Sequence, residues 1–156
     1  MSLPKPLCLW FCTRKTNSVL SGQKMLTKDV QREVFEMTGL KITQDDIDKF
    51  PKILLKYSKY LGEIYRGVCS TDDVYVELMK SGETATNRYY SCTSEKYIGK
   101  LFGDKILLVI SNSSNFDVRH VSREKEIILN KNITLKLISC VLENEYTVLK
   151  IDCCEN

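Results

Sequence analysis

Hydrophobic positions recur at helical spacing through the first third of the chain and at alternating or continuous spacing through the rest. Val30, Val34, Phe35 and Met37 make one apolar stripe, with Thr27 as a cap before it and a stop at Gly39; this predicts a helix. Ile47, Phe50, Leu54, Tyr57 and Leu61 repeat at three and four up to Gly62, and Thr43 with Asp46 has the pattern of a capping box at the start. Pro51 inside that run predicts a kink or a split into two pieces. Residues 1–22, with two prolines and the only tryptophan, Trp10, show no assignable period. Trp10 is expected to pack on the domain.

After Gly62 the texture changes. Residues 63–68 predict a short strand and 70–82 a helix, with Ser70 and Asp73 as a second capping box. Residues 87–93 are strand-like, 94–103 predict a helix capped by Ser94, and 105–110 form an apolar strand. A polar loop covers 111–123, and strands follow over 126–129, 134–142 and 146–151. Helices come first, then mostly strands with two short helices between them. That order is an α+β layout and not a run of βαβ units. No internal repeat or low-complexity segment is visible.

Length and composition narrow the picture. A chain of 156 residues predicts one domain, with a mainly helical part over 1–62 and a core over 63–156. The net charge of +3 is too small and too evenly spread to argue nucleic-acid binding. Seven cysteines (Cys8, Cys12, Cys69, Cys92, Cys140, Cys153, Cys154) stand beside a single histidine, His120. They show no repeated CxxC spacing, so no zinc site and no need for a metal is read from them. They fit reduced thiols of a cytosolic protein. The apolar run over 7–12 is short for a signal-peptide core and far short of a membrane span. The expectation is a cytoplasmic protein with no membrane partner.

Three pieces carry candidate chemistry. In the first, Tyr65-Arg66-Gly67, an arginine inside a predicted strand needs an anion; its planar fork suits a diphosphate. Gly67 would allow a ligand or a backbone to approach closely. The second, Tyr90-Ser91-Cys92-Thr93-Ser94, gathers hydroxyls at a strand end just before a helix. The third is Glu124-Lys125-Glu126, at the entry to an apolar strand. In an extended chain both carboxylates point to one face, where like charges raise each other's pKa.

In this order the pieces resemble the arginine–serine–glutamate class of ADP-ribosyltransferases, over about 64–151. Roughly 25 residues separate the first two pieces and roughly 30 the second and third. Tyr-Arg-Gly, Phe102-Gly103 and Glu-Lys-Glu-Ile-Ile-Leu are similar to the family's own settings. Thr86-Asn87-Arg88 and the small size look most like the single-domain enzymes that bacteriophages use on host proteins. The stretch departs from the family's Ser-Thr-Ser: either Cys92 takes the first serine position, or Ser91 and Thr93 flank a buried Cys92. Strand alternation favours the second.

The resemblance implies helices followed by a mostly antiparallel two-sheet core. It implies NAD as substrate, with ADP-ribose passed to an arginine of a target protein, such as a host protein, and nicotinamide released. In that family pattern Glu126 stabilises the oxocarbenium-like ribose, Glu124 prepares the acceptor, and Arg66 clamps the diphosphate. Ser91 with Thr93 positions Glu126, while Gly67 and Ser94 complete the NAD site. Phe116 is a candidate to stack on nicotinamide, Arg119 a candidate phosphate contact, and His120 a loop residue near the acceptor. Glu in the first position of the Glu-x-Glu pair marks arginine acceptors. The alternatives are an NAD glycohydrolase, an inactive NAD-site relative, and a basic RNA-binding module using Tyr89 and Tyr90. Against the last, the basic residues do not cluster and no RNA-binding motif is present.

Overall fold

The computed structural model of the chain describes residues 3–122 and 124–154. The chain divides into two compact units, Met1–Ser58 and Lys59–Asn156. The described residues of the first hold the helices α1 (Lys5–Trp10), α2 (Arg14–Leu20), α3 (Lys28–Thr38) and α4 (Gln44–Leu54). Thr27 caps α3 by accepting from the Val30 amide, and Gly39 closes it in the left-handed region at φ 71°; both are expected where a helix must start and stop. Thr43 and Asp46 form the capping box of α4. Trp10 stacks on Phe50 with ring centroids 5.5 Å apart, inside the helical unit.

Pro51 does not split α4. The helix runs through it to Leu54, and the Pro51 carbonyl still accepts from the Leu55 amide at 3.2 Å. Proline costs the bond its missing N–H would have made, while the capping box and the buried Phe50 and Leu54 hold both sides. The run ends at Leu54, short of the Gly62 expected from the spacing.

The second unit is one hydrogen-bonded sheet of eight strands in the order β2-β7-β8-β4-β1-β3-β6-β5. The strands are β1 (Ile64–Val68), β2 (Glu83–Ala85), β3 (Tyr90–Thr93), β4 (Ile106–Ser111), β5 (Asn115–Asp117), β6 (Glu126–Leu129), β7 (Thr134–Glu143) and β8 (Tyr146–Cys154). Among the described residues only β4 and β8 run parallel. Helices α5 (Asp73–Ser81) and α6 (Lys96–Gly99) lie between strands, and a 3₁₀ turn spans Arg119–Val121. The expected two sheets are therefore one continuous ladder with a seam. β1 and β3 share a single register pair, Tyr65↔Thr93. β1 is fully paired with β4 on its other side, and β3 with β6.

Several boundaries differ from the sequence reading for identifiable reasons. The cap of α5 is Asp72, accepting from the Tyr75 amide, and not Ser70. Ser94 does not cap α6: the N-cap is Glu95, with no side-chain bond. The helix expected over 94–103 shrinks to one turn. The loop over 111–123 contains β5, whose inward residues Asn115 and Asp117 are polar yet buried. Alternation of apolar residues cannot reveal such a strand. The core of this unit includes Ile64, Leu108, Ile110, Ile127, Leu129 and Leu149.

Gly67 is required by backbone. A Cβ there would stand 2.1 Å from the Gly99 carbonyl oxygen and 2.3 Å from that of Phe102. Gly82, at φ 78°, has nothing within 4 Å of such a Cβ. Gly67→Ala is thus expected to lower the unfolding free energy by about 3 kcal/mol or more, through overpacking against backbone that cannot yield. Gly82→Ala should cost only the left-handed penalty, about 1 kcal/mol. Denaturant unfolding of the two variants checks the order.

Candidate active site

The site lies along the seam. Antiparallel pairing sets Thr93 opposite Glu126, Cys92 opposite Ile127 and Ser91 opposite Ile128. Alternation then places Ser91, Thr93 and Glu126 on one face and Cys92 on the other. Cys92 belongs to the apolar core with Ile127 and Leu129, and burial pushes its thiol up to about 12, so it stays a neutral core residue. Ser91 donates its hydroxyl to Glu126 Oε2. Glu126 is only 3% exposed, a carboxylate at the head of a buried strand. Of the two readings of the hydroxyl turn, the geometry favours Ser91 as the residue that holds the glutamate.

Thr93 does not join Ser91 on Glu126. Its hydroxyl donates to the Glu124 carbonyl at 2.9 Å and accepts from the Glu95 amide at 3.2 Å. The Ser94 amide donates to the Lys125 carbonyl at 3.1 Å. The hydroxyl turn therefore grips the backbone just before β6. Ser94 itself is buried, and its hydroxyl has no hydrogen-bond partner among the described residues.

Glu124 and Glu126 do not share an extended strand. Lys125 has φ 51°, in the left-handed region, and β6 begins only at Glu126. Glu124 is exposed and lines a cleft, while Glu126 is buried. The extended alternation expected to set the two carboxylates side by side is thus broken at Lys125. Arg123 lies outside the described residues.

Arg66 crosses the seam with its side chain. Past Tyr65↔Thr93 the two strands no longer pair, and Arg66 Nη1 donates to the Ser91 carbonyl at 2.9 Å. Nη2 meets Asp72 Oδ2 at 3.3 Å, with 19% and 5% of the two side chains exposed. The guanidinium carbon lies 5.0 Å from the centre of the Tyr90 ring, and that of Arg88 lies 4.6 Å from the same ring. The Tyr90 hydroxyl donates to Asp73 Oδ2 at 2.8 Å; burial raises the phenol to about 12. Arg66 Nε is buried with no partner among the described residues. The arginine expected to present a free fork is thus partly committed to the fold. Asp72 is the partner of Arg66 that the sequence reading did not name; Arg88 and Tyr90 stood in the pieces it quoted, without the ring contacts the fold gives them.

A cleft of about 210 Å³ opens here, lined by Tyr65, Arg66, Gly67, Ser91, Thr93 and Glu124 among others. A larger one of about 650 Å³ lies beside α5, with Asp73, Glu77, Asn87 and Tyr90 in its wall. Arg66 in the first stands against the Tyr90 ring in the second, and the two linings share no residue. Phe116 lines neither. It sits on β5 opposite Ile128, sharing the face of Ser91 two strands away, with its ring edge-on to Tyr89 at 6.3 Å. Arg119 is held by both oxygens of Asp117, at 2.9 and 2.7 Å, and stands 4.6 Å over the Tyr60 ring. That pairing keeps the Asp117 carboxyl below its usual range and engages the cation that the sequence offers as a phosphate contact. His120 is exposed. Among the described residues no group of three or more His, Cys, Asp or Glu is arranged to hold a metal, and no helix is long and apolar enough to cross a membrane.

No protein-family model matches the chain, and neither does any curated protein sequence. Solved structures do. Exoenzyme S from Pseudomonas aeruginosa, in a complex with human 14-3-3 protein beta and carba-NAD, superposes with a TM-score of 0.65 at 15% identity; the match covers 94% of this chain and 70% of that one. The ADP-ribosyltransferase HopU1 of Pseudomonas syringae gives 0.60 at 16% identity, covering 90% and 64%. The ADP-ribosyltransferase Vis from Vibrio splendidus, in complex with agmatine, gives 0.56 at 14% identity, covering 93% and 76%. The chain has the ADP-ribosyltransferase fold.

The Arg66–Asp72 pair generates a stability prediction. Removing the cation leaves a nearly buried carboxylate uncompensated, so Arg66→Met should cost about 3 kcal/mol. Asp72→Asn retains the acceptor that caps α5. The double variant should therefore recover much of that loss, as a double-mutant cycle of denaturant midpoints would show. Additive losses would mean the two side chains are not coupled.

Proposed function

We propose that this protein transfers ADP-ribose from NAD to a guanidinium acceptor, the arginine side chain of a target protein, with release of nicotinamide. The observation that carries the reading is the Ser91–Glu126 hydrogen bond beside Arg66, at a cleft whose lining includes Arg66, Ser91 and Glu124. A buried, oriented carboxylate is what an oxocarbenium-like transition state needs next to the sugar. The fold shared with structures solved with carba-NAD and agmatine supports the same assignment.

The residues present fit the dinucleotide. Arg66 supplies a buried Nε–H without a partner among the described residues, a donor that a diphosphate oxygen would satisfy. Arg88, 11% exposed at its side chain, places a second guanidinium against the Tyr90 ring that Arg66 also meets.

In the proposed step Glu126 accepts a hydrogen bond from the ribose 2′-hydroxyl and offsets the charge that develops at C1′. The glycosidic bond breaks, with its electron pair leaving on nicotinamide. A guanidinium nitrogen of the acceptor forms the new bond to C1′, and the proton it sheds passes to Glu124. Neither carboxylate has to do the other's work, because Lys125 separates them.

Labelled NAD with agmatine as a small guanidinium acceptor tests this. Nicotinamide release and label transfer are measured in the same samples. Glu126→Gln should lower both by about a thousandfold, the scale of removing one strong electrostatic contact to a transition state. Glu124→Gln should lower transfer far more than hydrolysis. Equal losses at Glu124 would place it in the NAD site; a wild-type chain that released nicotinamide without transfer would be a glycohydrolase.

A further inference from the structure

Lys125 is the one residue between the two glutamates, and its backbone is left-handed at φ 51°. A side chain with a Cβ is disfavoured there, and lysine has none of the local hydrogen bonding that lets asparagine tolerate it. Something must hold the turn in place, and the structure shows what does. Thr93 Oγ1 donates to the carbonyl on its N-terminal side, at Glu124, and the Ser94 amide donates to the carbonyl of Lys125 itself. The Glu124 amide donates to Ser122 Oγ at 3.2 Å. On the strand side, the Val118 amide donates to the Glu126 carbonyl at 3.3 Å. Three of these bonds tie the pair Glu124–Lys125, and two of them come from the same hydroxyl turn whose Ser91 holds Glu126.

The consequence is geometric. With Lys125 extended, Glu124 would continue the alternation of β6 and point to the same side as Glu126. Two carboxylates would then share one desolvated place, which like charges resist. With Lys125 left-handed, Glu124 is exposed in the lining of the cleft while Glu126 stays buried.

We propose that Lys125 is a positioning residue for acceptor choice. Its left-handed backbone, locked by Thr93 and Ser94, sets the Glu124 carboxylate where a guanidinium must arrive and so decides between transfer and hydrolysis. The lysine side chain is not the active feature; the backbone conformation is. This rests on the function proposed above and deepens it.

The test follows left-handed tolerance against charge. Lys125→Gly and Lys125→Asn both remove the charge and both favour the left-handed region. Lys125→Val removes the charge and disfavours that region. Each variant is assayed with labelled NAD and agmatine, and the ratio of transfer to NAD hydrolysis is the readout. Glycine and asparagine should keep the wild-type ratio. Valine should lower it by about a hundredfold, the cost of misplacing a catalytic group by about 1 Å.

An equal fall in all three variants would assign the effect to the lysine charge and overturn the proposal, as would an unchanged ratio in Lys125→Val. If the valine variant does not fold, Thr93 decides. Thr93→Ser keeps the hydroxyl and should keep the ratio, whereas Thr93→Val should lower it. Equal ratios in those two also overturn the proposal. A wild-type chain that modifies no acceptor would sink the proposed function itself; an active wild type with indifferent variants sinks only this inference.

Discussion

When two neighbouring strands pair at one position and then part, the groups beyond that position lose their ladder partners, and buried backbone groups do not go unpaired cheaply. β1 and β3 pair only at Tyr65↔Thr93. From there the Ser91 carbonyl is met by a side chain, Arg66 Nη1, and the space around Gly67 is closed by the carbonyls of Gly99 and Phe102. The opening that results is the smaller cleft. The seam is thus both a gap in the sheet and the source of the site, and the residues that repair the gap are the ones that line it.

A charged group is what makes the repair possible. A neutral side chain at position 66 could not serve the Ser91 carbonyl, the Asp72 carboxylate and the face of Tyr90 together. Arginine does so with a flat, delocalised cation carrying five donors. Asp72 in turn caps α5 through its other oxygen, at 3.1 Å from the Tyr75 amide. The start of α5, the end of the β1–β3 pairing and the wall of the cleft are consequently tied to one ion pair. That pair is stabilising only as a unit, since either partner alone would be a nearly buried charge.

Much of the layout was legible in the sequence, and the losses share a cause. Helix α3 and the capping box of α4 follow from caps and apolar spacing, which are local. The strands β1, β4, β6, β7 and β8 follow from aliphatic runs. β5 was hidden because its buried positions are Asn115 and Asp117, whose partners come from elsewhere: Asn115 Nδ2 donates to the Tyr60 carbonyl at 3.0 Å, and Arg119 grips Asp117. Ser94 was read as a cap because serine before a helix usually is one, yet Thr93 takes the Glu95 amide instead. The three candidate pieces at Arg66, Ser91 and Glu124–Glu126 do meet in space. The relation between the two glutamates was misjudged, because alternation assumes extended backbone and lysine carries no sign of a left-handed turn.

The kink at Lys125 also bears on how two acidic groups can coexist in a site built from an apolar strand. Burying one carboxylate is tolerable when a hydroxyl donates to it, as Ser91 does to Glu126. Burying a second beside it would raise the pKa of one of the pair, since like charges resist sharing a desolvated place. With Lys125 left-handed, Glu124 stands in solvent while Glu126 stays buried, although the two are only two residues apart. The cost is a strained residue and three hydrogen bonds spent on holding it. Strain of this kind persists only where the surroundings over-determine it, and here the over-determining bonds come from Thr93 and Ser94, next to the serine that orients the buried partner. One short turn, 91–94, therefore controls both carboxylates through different atoms: a side-chain hydroxyl on Glu126, and a hydroxyl and an amide on the backbone that aims Glu124.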